Sequence, residues 1–454
     1  MTKPALNELS LLLKNKSAVV TDFSSLGKYL KDATEITGEC EALVMAECEG
    51  DVVNTINFAR KNNLSIVPRG AGTGLSGGCV PNSGSIVLST EKINHLRIDT
   101  IKKTAVVGPG VITKQLQDEA VKFGLSYPPD PASQAESTIG GNVAEGAGGL
   151  RCKRFGVTKD YVLGMSGVTA TGEIIQTGCY NDEKGFALTD IFNASEGTLI
   201  VIIEITLRLA DIVPRGDTFL VAFESPKDAA QTVSDITGAG IIPNVMEFLD
   251  GDAAECSNKY EKTEGLDKVA AILLIESAKE GGLEQVKQIK YFCEKNNSSF
   301  FRHESDPKQA ENLWKIRRNL SKASKQISKI RISEDVAVPI SKFPDLVEYV
   351  SYMNETSKLR INSFGHAGDG NLHVNFLSDD ETKAGRELVE HEIERLLRKT
   401  VELGGTLTGE HGIGLAKRRY LGLEFDSTTI NYMKKIKDVF DPGNLLNPGK
   451  IFIS

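Results

Sequence analysis

The sequence predicts an α+β protein. A glycine-rich N-terminal domain of mixed strands and helices precedes a domain in which an antiparallel sheet is covered by helices. Three observations predict this. Short β-branched segments alternate with helical segments along the chain. Two stretches, at 68–78 and 127–149, are almost pure glycine-rich loop. Past Asp211 the alternation of strand and helix patterns continues at larger spacing, which marks a border. A chain of 454 residues is expected to hold two or three domains. The borders read as 1–212, 213–408 and 409–454, the last a segment that packs back on the first domain.

Taken in order, GDVVNTINFARKNN from residue 50 reads as a helix, and Leu64 to Val67 as a short strand. PRGAGTGLSGG (68–78) follows as loop, then strands at 85–90 and 104–110 and a helix from Ile112 to Phe123. After the second loop, strand-like segments continue to about Leu209. FLVAFE (219–224) is a strand, and Ser225-Pro226 starts a helix with serine as N-cap and proline at the first turn. VAAILLIE (269–276) is a buried strand, followed by helices at 283–295, 307–326 and 341–357. Val389, Ile393, Leu396, Leu397 and Val401 fall on one face of a helix over 385–403, which Gly404-Gly405 ends. A helix at 427–440 precedes the tail DPGNLLNPGK.

Composition excludes several function classes. The net charge of −8, with no block of basic residues, argues against nucleic acid as a partner. Seven cysteines, an odd number without a C-x-x-C pair, do not suit a disulfide scaffold, a zinc knuckle or an iron–sulfur cluster. Reduced thiols in a cytoplasmic protein fit best. The N-terminus lacks a signal-type pattern. Apolar runs such as Val269 to Ile275 are far too short to span a membrane, so membrane association would be peripheral, through a partner.

The 43 glycines cluster. Gly70, Gly72, Gly74, Gly77 and Gly78 lie within nine residues, and without side chains several backbone N–H groups can converge on one anion. The spacing is neither that of a P-loop nor a good dinucleotide fingerprint. Gly140, Gly141, Gly146, Gly148 and Gly149 follow in the second loop. Two such loops can grip opposite ends of a dinucleotide; the plainer reading is a pair of flexible surface loops.

PRGAGTGLSGG, YPPDP…TIGGNVAEGAGG, KRFGVTKDYVLG and ASEGTL together resemble the FAD-binding domain of the vanillyl-alcohol-oxidase family. The similarity is to the branch that holds D-lactate dehydrogenases, D-2-hydroxyglutarate dehydrogenases and the flavoprotein component of glycolate oxidase, and it runs from about residue 40 to the C-terminus. The resemblance implies a two-subdomain FAD-binding domain and an α+β substrate domain. It implies FAD contacts from Pro68, Arg69, Gly70, Ala71, Gly72, Thr73, Gly74, Ser76, Gly77, Pro131, Thr138, Gly141, Asn142, Gly146, Gly148 and Asn447. The chain departs from the family pattern, which has Asn near Glu145 or Gly146 and Gly where Ile200 stands. Nothing resembles the histidine that some members link to flavin, so FAD is expected to bind non-covalently.

SFGHAGDGNLHVNF and TLTGEHGIGLAKRRY carry three of the six histidines. His366 and His373 flank AGDGNL, which reads as a turn between two strands that brings both imidazoles together; Glu410 can add a carboxylate. Two histidines and a glutamate with an open position suit a catalytic divalent metal, Zn, Mn or Fe. The plainer alternative is histidines hydrogen-bonded to backbone. The resemblance implies His366, His373 and Glu410 as metal ligands and His411 as the base. It also implies Asn375 and Ser321 as substrate contacts, and Arg317 as binder of the substrate carboxylate. Arg318 is the adjacent rival, and for both arginines the alternative is a solvated helix face.

The expected reaction is oxidation of a small D-2-hydroxy acid to the 2-oxo acid. Hydroxyglutarate members have a lysine where Ser333 stands, which favours glycolate or D-lactate over D-2-hydroxyglutarate. The electron acceptor is expected to be a protein subunit or a quinone, not a nicotinamide, and a homodimer is among the arrangements open to the chain. Competing readings are an FAD oxidase of sugars or aldonolactones, which would not need the histidine–glutamate set, a non-catalytic flavin-binding electron-transfer subunit, and a metal-dependent hydrolase, which would be colourless.

Overall fold

The structure, a computed structural model, describes residues 3–22, 26–34, 36–178, 186–262, 266, 268–324 and 328–453; the side chains of 3 and 321–324 lie outside that description. The chain divides into two compact units. The first holds 1–148, 156–212 and 410–454, and the second 149–155 and 213–409.

The first unit has two main sheets. β1 (Val19–Val20), β2 (Ala42–Met45), β3 (Ser65–Arg69) and β4 (Ser85–Ser89) form a sheet in the order β1-β2-β4-β3, with β4 parallel to both β2 and β3. Helix Glu49–Lys61 makes the crossover and buries Val52, Ile56 and Ala59 with Val44, Ile66, Ile86 and Leu88. β5 (Leu96–Asp99), β6 (Thr104–Val107), β8 (Val162–Thr169), β9 (Ile174–Gly178) and β10 (Ile200–Arg208) form an antiparallel sheet in the order β5-β6-β10-β8-β9. A short pair, β7 (Leu125–Ser126) with β11 (Ala210–Asp211), stands beside it. The tail after helix Ser427–Phe440 returns to β3, where Ile66 N donates to Leu445 O at 2.8 Å.

One stretch differs from its sequence reading. The stretch 127–149, which reads as loop, contains helix Ile139–Glu145. Two consecutive glycines weaken its helical signal. Tertiary packing of Ile139 and Val143, an N-cap by Thr138 on Gly141 N (3.2 Å) and a left-handed Gly146 (φ 68°) at its end define it instead.

The second unit is one seven-stranded antiparallel sheet. Its strands are β12 (Arg215–Phe223), β13 (Val245–Asp250), β14 (Ala271–Ala278), β15 (Ser298–Glu304), β16 (Ile330–Ala337), β17 (Arg360–Gly365) and β18 (Asn371–Ser378). They lie in the order β15-β12-β14-β13-β17-β18-β16. Every residue of β14 is buried, as a central strand covered on both faces requires. Helices Gly251–Tyr260 and Pro307–Ser324 cover one face, packing Ala253, Leu313, Trp314 and Leu320 on Leu220, Leu249, Leu274 and Phe364.

Candidate active site

The face under helix Pro307–Ser324 is apolar at one end and polar at the other. Strand alternation and register decide which residues share it. Phe364 of β17 pairs with His373 of β18, and Asn362 with Asn375; across β18, His373 pairs with Asp335 of β16 and Asn375 with Ser333. Asn362, His373, Asn375, Asp335, Ser333 and Arg331 therefore stand on one face, while Leu372, Val374 and Phe376 point to the other and are fully buried. His366 follows β17 in the turn, and its ring lies 5.4 Å from that of His373. The strand–turn–strand geometry expected of AGDGNL is present, with Gly370 left-handed at φ 72°.

Glu247 is the organising charge. It lies mid-strand in β13, fully buried, on the face that carries Leu249 and Phe364. One carboxylate oxygen takes His366 Nδ1 at 2.6 Å, and the other takes Arg317 Nε at 2.5 Å. Helix Pro307–Ser324 delivers Arg317 from above, its guanidinium 4.7 Å over the Phe364 ring. With Nδ1 committed to Glu247, His366 presents Nε2 as its ligand atom. Ligand atoms of His366, His373 and Glu410 all lie within 4.8 Å of one another. Donors about 2.1 Å from a tetrahedral cation stand roughly 3.4 Å apart, a separation that falls within that bound. Two imidazoles, a carboxylate and a carboxylate partner behind one imidazole are the chemistry a divalent cation needs.

Glu410 is where the chain passes from the second unit to the first. Its predecessors are pinned within the second unit. Buried Asp335 accepts Thr408 Oγ1 at 3.0 Å and Gly409 N at 2.6 Å. A Cβ on Gly409 would stand 2.0 Å from Asn371 Nδ2, so a larger residue there would have to displace the Asn371 amide. Within the first unit, Glu196 accepts Ile413 N and Gly414 N, each at 2.7 Å. A Cβ on Gly412 (φ 92°) would crowd both Glu196 and Glu145. His411 lies half-buried in the bend between.

The glycine loops of the first unit touch each other. A Cβ on Gly70 would stand 2.3 Å from Thr138 Oγ1, so the two loops abut at that point. Several expected cofactor residues brace the loops internally. Arg69 donates to the carbonyls of Lys31 (2.8 Å) and Lys28 (2.7 Å) and curls under Gly72. Ser76 donates to Glu145 (3.0 Å), and Gly77 N to Asp32 (2.8 Å). Asn142 donates to Thr113 Oγ1 (2.7 Å), and Asn447 to Glu196 O (2.7 Å). Gly146 caps its helix, Pro131 and Gly148 are buried, and Pro68, Ala71, Thr73 and Gly74 are half-buried. Two buried atoms, Arg69 Nε and Asn447 Oδ1, have no partner among the described residues. Unpaired polar atoms beside glycine backbone fit a polar ligand such as a dinucleotide. Burial and the neighbouring Glu196 charge push the Glu145 carboxyl well above the usual carboxylate range. Burial raises Glu196 too, opposed by its two backbone donors.

Of the expected site residues, His366, His373 and Glu410 converge, and Asn375 shares their sheet face, donating to Asn362 Oδ1 at 2.9 Å. Arg317 is buried on Glu247, whereas Arg318 is exposed and paired with Glu311, which removes it as the rival. Ser321 lies outside the described side chains. Glu247, Asp335 and Arg331 were missed. A glutamate inside the buried strand VMEFLD was the available signal for the first, since an unpaired charge is not tolerated there.

The fold and site define an FAD-binding unit joined to a sheet domain that presents metal-type ligands. Residues 40–178 match the FAD binding domain model, and 214–451 the model for the C-terminal domain of FAD-linked oxidases. The chain belongs to this family of FAD-linked oxidoreductases. It is 38% identical to glycolate oxidase subunit GlcD of Bacillus subtilis (95% of this chain, 93% of that one), and 32% to D-lactate dehydrogenase of Anaerostipes hadrus (90% and 89%). It is 31% identical to D-2-hydroxyglutarate dehydrogenase of Stutzerimonas stutzeri over the whole of both chains. p-Cresol methylhydroxylase shares the fold, with a TM-score of 0.81 at 16% identity over 100% of this chain and 98% of that one. Among the described residues no helix is long and apolar enough to cross a membrane.

Proposed function

We propose that the protein oxidises a small D-2-hydroxy acid to the 2-oxo acid, using non-covalent FAD and a divalent metal ion. The observation that carries the reading is the convergence of His366, His373 and Glu410 on one point, with Glu247 behind His366. When bound, FAD accepts the hydride from Cα, and the cation polarises the substrate hydroxyl. Arg317 offers the substrate carboxylate its two Nη groups, because Nε is committed to Glu247. That pairing orients the Cα–H bond. His411 takes the hydroxyl proton as general base. Asn375 lines the site, its amide orientation set by Asn362. Glycolate or D-lactate satisfies every group named so far, and neither needs a lysine at Ser333. Electrons leave to a separate protein or a quinone; the likeness to a component of glycolate oxidase supports a complex.

The test is an anaerobic absorbance spectrum of the yellow protein before and after D-lactate or glycolate, with and without chelator. Bleaching that disappears on metal removal and returns on adding Zn²⁺ or Mn²⁺ is the expected result. A flavin that no 2-hydroxy acid reduces overturns the reaction. Full reduction of a metal-free enzyme overturns the metal's role.

A further inference from the structure

His411 stands in a bend, outside any helix or strand, so its neighbours along the chain must hold it. The hold begins two residues later, within the first unit. From Ile413 to Lys417 five consecutive backbone N–H groups have acceptors. Ile413 N and Gly414 N donate to Glu196 Oε1 and Oε2, each at 2.7 Å. Leu415 N and Ala416 N donate to the Ser76 carbonyl at 2.8 and 3.0 Å, and Lys417 N closes a turn on Ile413 O at 2.9 Å. The clamp therefore has two outside acceptors, a backbone carbonyl of the first glycine loop and one side chain, Glu196. The bonds nearest to His411 are those of Glu196.

The local backbone is shaped for that carboxylate. Gly412 (φ 92°) and Gly414 (φ 46°) are both left-handed. Successive N–H groups beside such residues form a concavity that binds an anion. Glu196 fills it. Glu196 is itself fixed from both sides: its N–H donates to Ala144 O at 2.7 Å, and its carbonyl accepts Asn447 Nδ2 at 2.7 Å. Its own φ is 52°, uncommon for a residue with a side chain. Residues kept in such a conformation gather at functional sites, where the surroundings over-determine them. The mechanism above gives this buried carboxylate no part.

We propose that Glu196 is a positioning residue for the base. Its two oxygens fix the peptide units that follow His411 and so hold the imidazole in place for the substrate hydroxyl. This rests on the reading of His411 as general base. A carboxylate is required because two adjacent N–H groups need two acceptor oxygens; a glutamine would turn its NH₂ on one of them.

The experiment is a double-mutant cycle on the FAD-loaded enzyme at saturating Zn²⁺. Single-turnover reduction of the flavin by D-lactate or glycolate is followed in wild type, Glu196→Gln, His411→Ala and the double variant. Glu196→Gln is expected to slow the maximal rate about 10–100-fold, while the substrate concentration for half-maximal rate moves less than about twofold. In the His411→Ala background the same change is expected to alter the rate by less than about twofold, because the group it positions is gone. Glu196→Asp keeps both oxygens on a shorter arm and is expected to fall between wild type and Gln; it replaces Gln in the cycle if that variant does not retain FAD. Equal slowing in both backgrounds makes Glu196 a general brace and overturns the proposal. A rate loss that more Zn²⁺ restores moves the effect to Glu410 and overturns it too. If His411→Ala reduces its flavin at the wild-type rate, or neither acid reduces the wild type, the underlying reading falls instead.

Discussion

Removing the Glu247 carboxylate tests whether one buried charge supports both halves of the site. Its oxygens hold His366 Nδ1 at 2.6 Å and Arg317 Nε at 2.5 Å, and all three side chains are nearly or fully buried. Glu247→Ala leaves Arg317 buried without a counter-charge, which costs about 3–5 kcal/mol of stability. Glu247→Gln keeps the shape and one acceptor oxygen, but its NH₂ must then face one of the two donors. It loses one charge-assisted bond, about 1.5–3 kcal/mol, and the preference of His366 for the Nδ1–H tautomer. Loss of such a partner behind a metal ligand lowers metal affinity by about 10–100-fold. Zinc affinity is measured by chelator competition, stability by thermal melting, and substrate binding by the KM for D-lactate. Both variants are expected to weaken zinc binding and raise KM together, with Ala the less stable. A Gln variant that binds zinc within about twofold of wild type, with KM unchanged, refutes the argument that Glu247 positions both groups.

Three further outcomes are expected. His411→Ala should slow flavin reduction by substrate about 10²–10⁴-fold while FAD stays bound; undiminished single-turnover reduction would remove the base assignment. Glu145→Gln should change how stability depends on pH. The raised Glu145 pKa means that the folded state keeps a proton which the unfolded chain releases near pH 4.5. Wild-type stability from this group is therefore full below that pH and declines as pH rises toward the folded pKa. The melting temperature of the Gln variant should gain on wild type as pH rises above about 5, and a constant difference would show that Glu145 is not held protonated. Thr138→Ala removes the N-cap of helix Ile139–Glu145, at about 1 kcal/mol, seen as a lower denaturation midpoint; an unchanged midpoint would show that the cap does not stabilise this helix.

Much of the second unit was legible because its signals are local. Ser225-Pro226 caps a helix, with Ser225 Oγ accepting Asp228 N at 3.3 Å. The apolar stripe at Val389, Ile393, Leu396 and Leu397 is buried as its period requires. The His366–His373 turn follows from two strands flanking a glycine-rich hexapeptide. Helix Ile139–Glu145 escaped notice because glycine masks propensity, while its core contacts come from elsewhere in the chain.

Residue types and their spacing therefore determined the α+β class, the glycine loops and the family, and marked two histidines and a glutamate as a candidate ligand set. Tertiary structure alone decided who stands behind those residues. Glu247 lies 119 positions before His366, Asp335 lies 74 before Gly409, and Arg331 lies 44 before Asn375. No sequence period links such pairs. They meet because sheet register sets each strand's inward face, and because a charge removed from water must find a partner on that face whatever its distance along the chain.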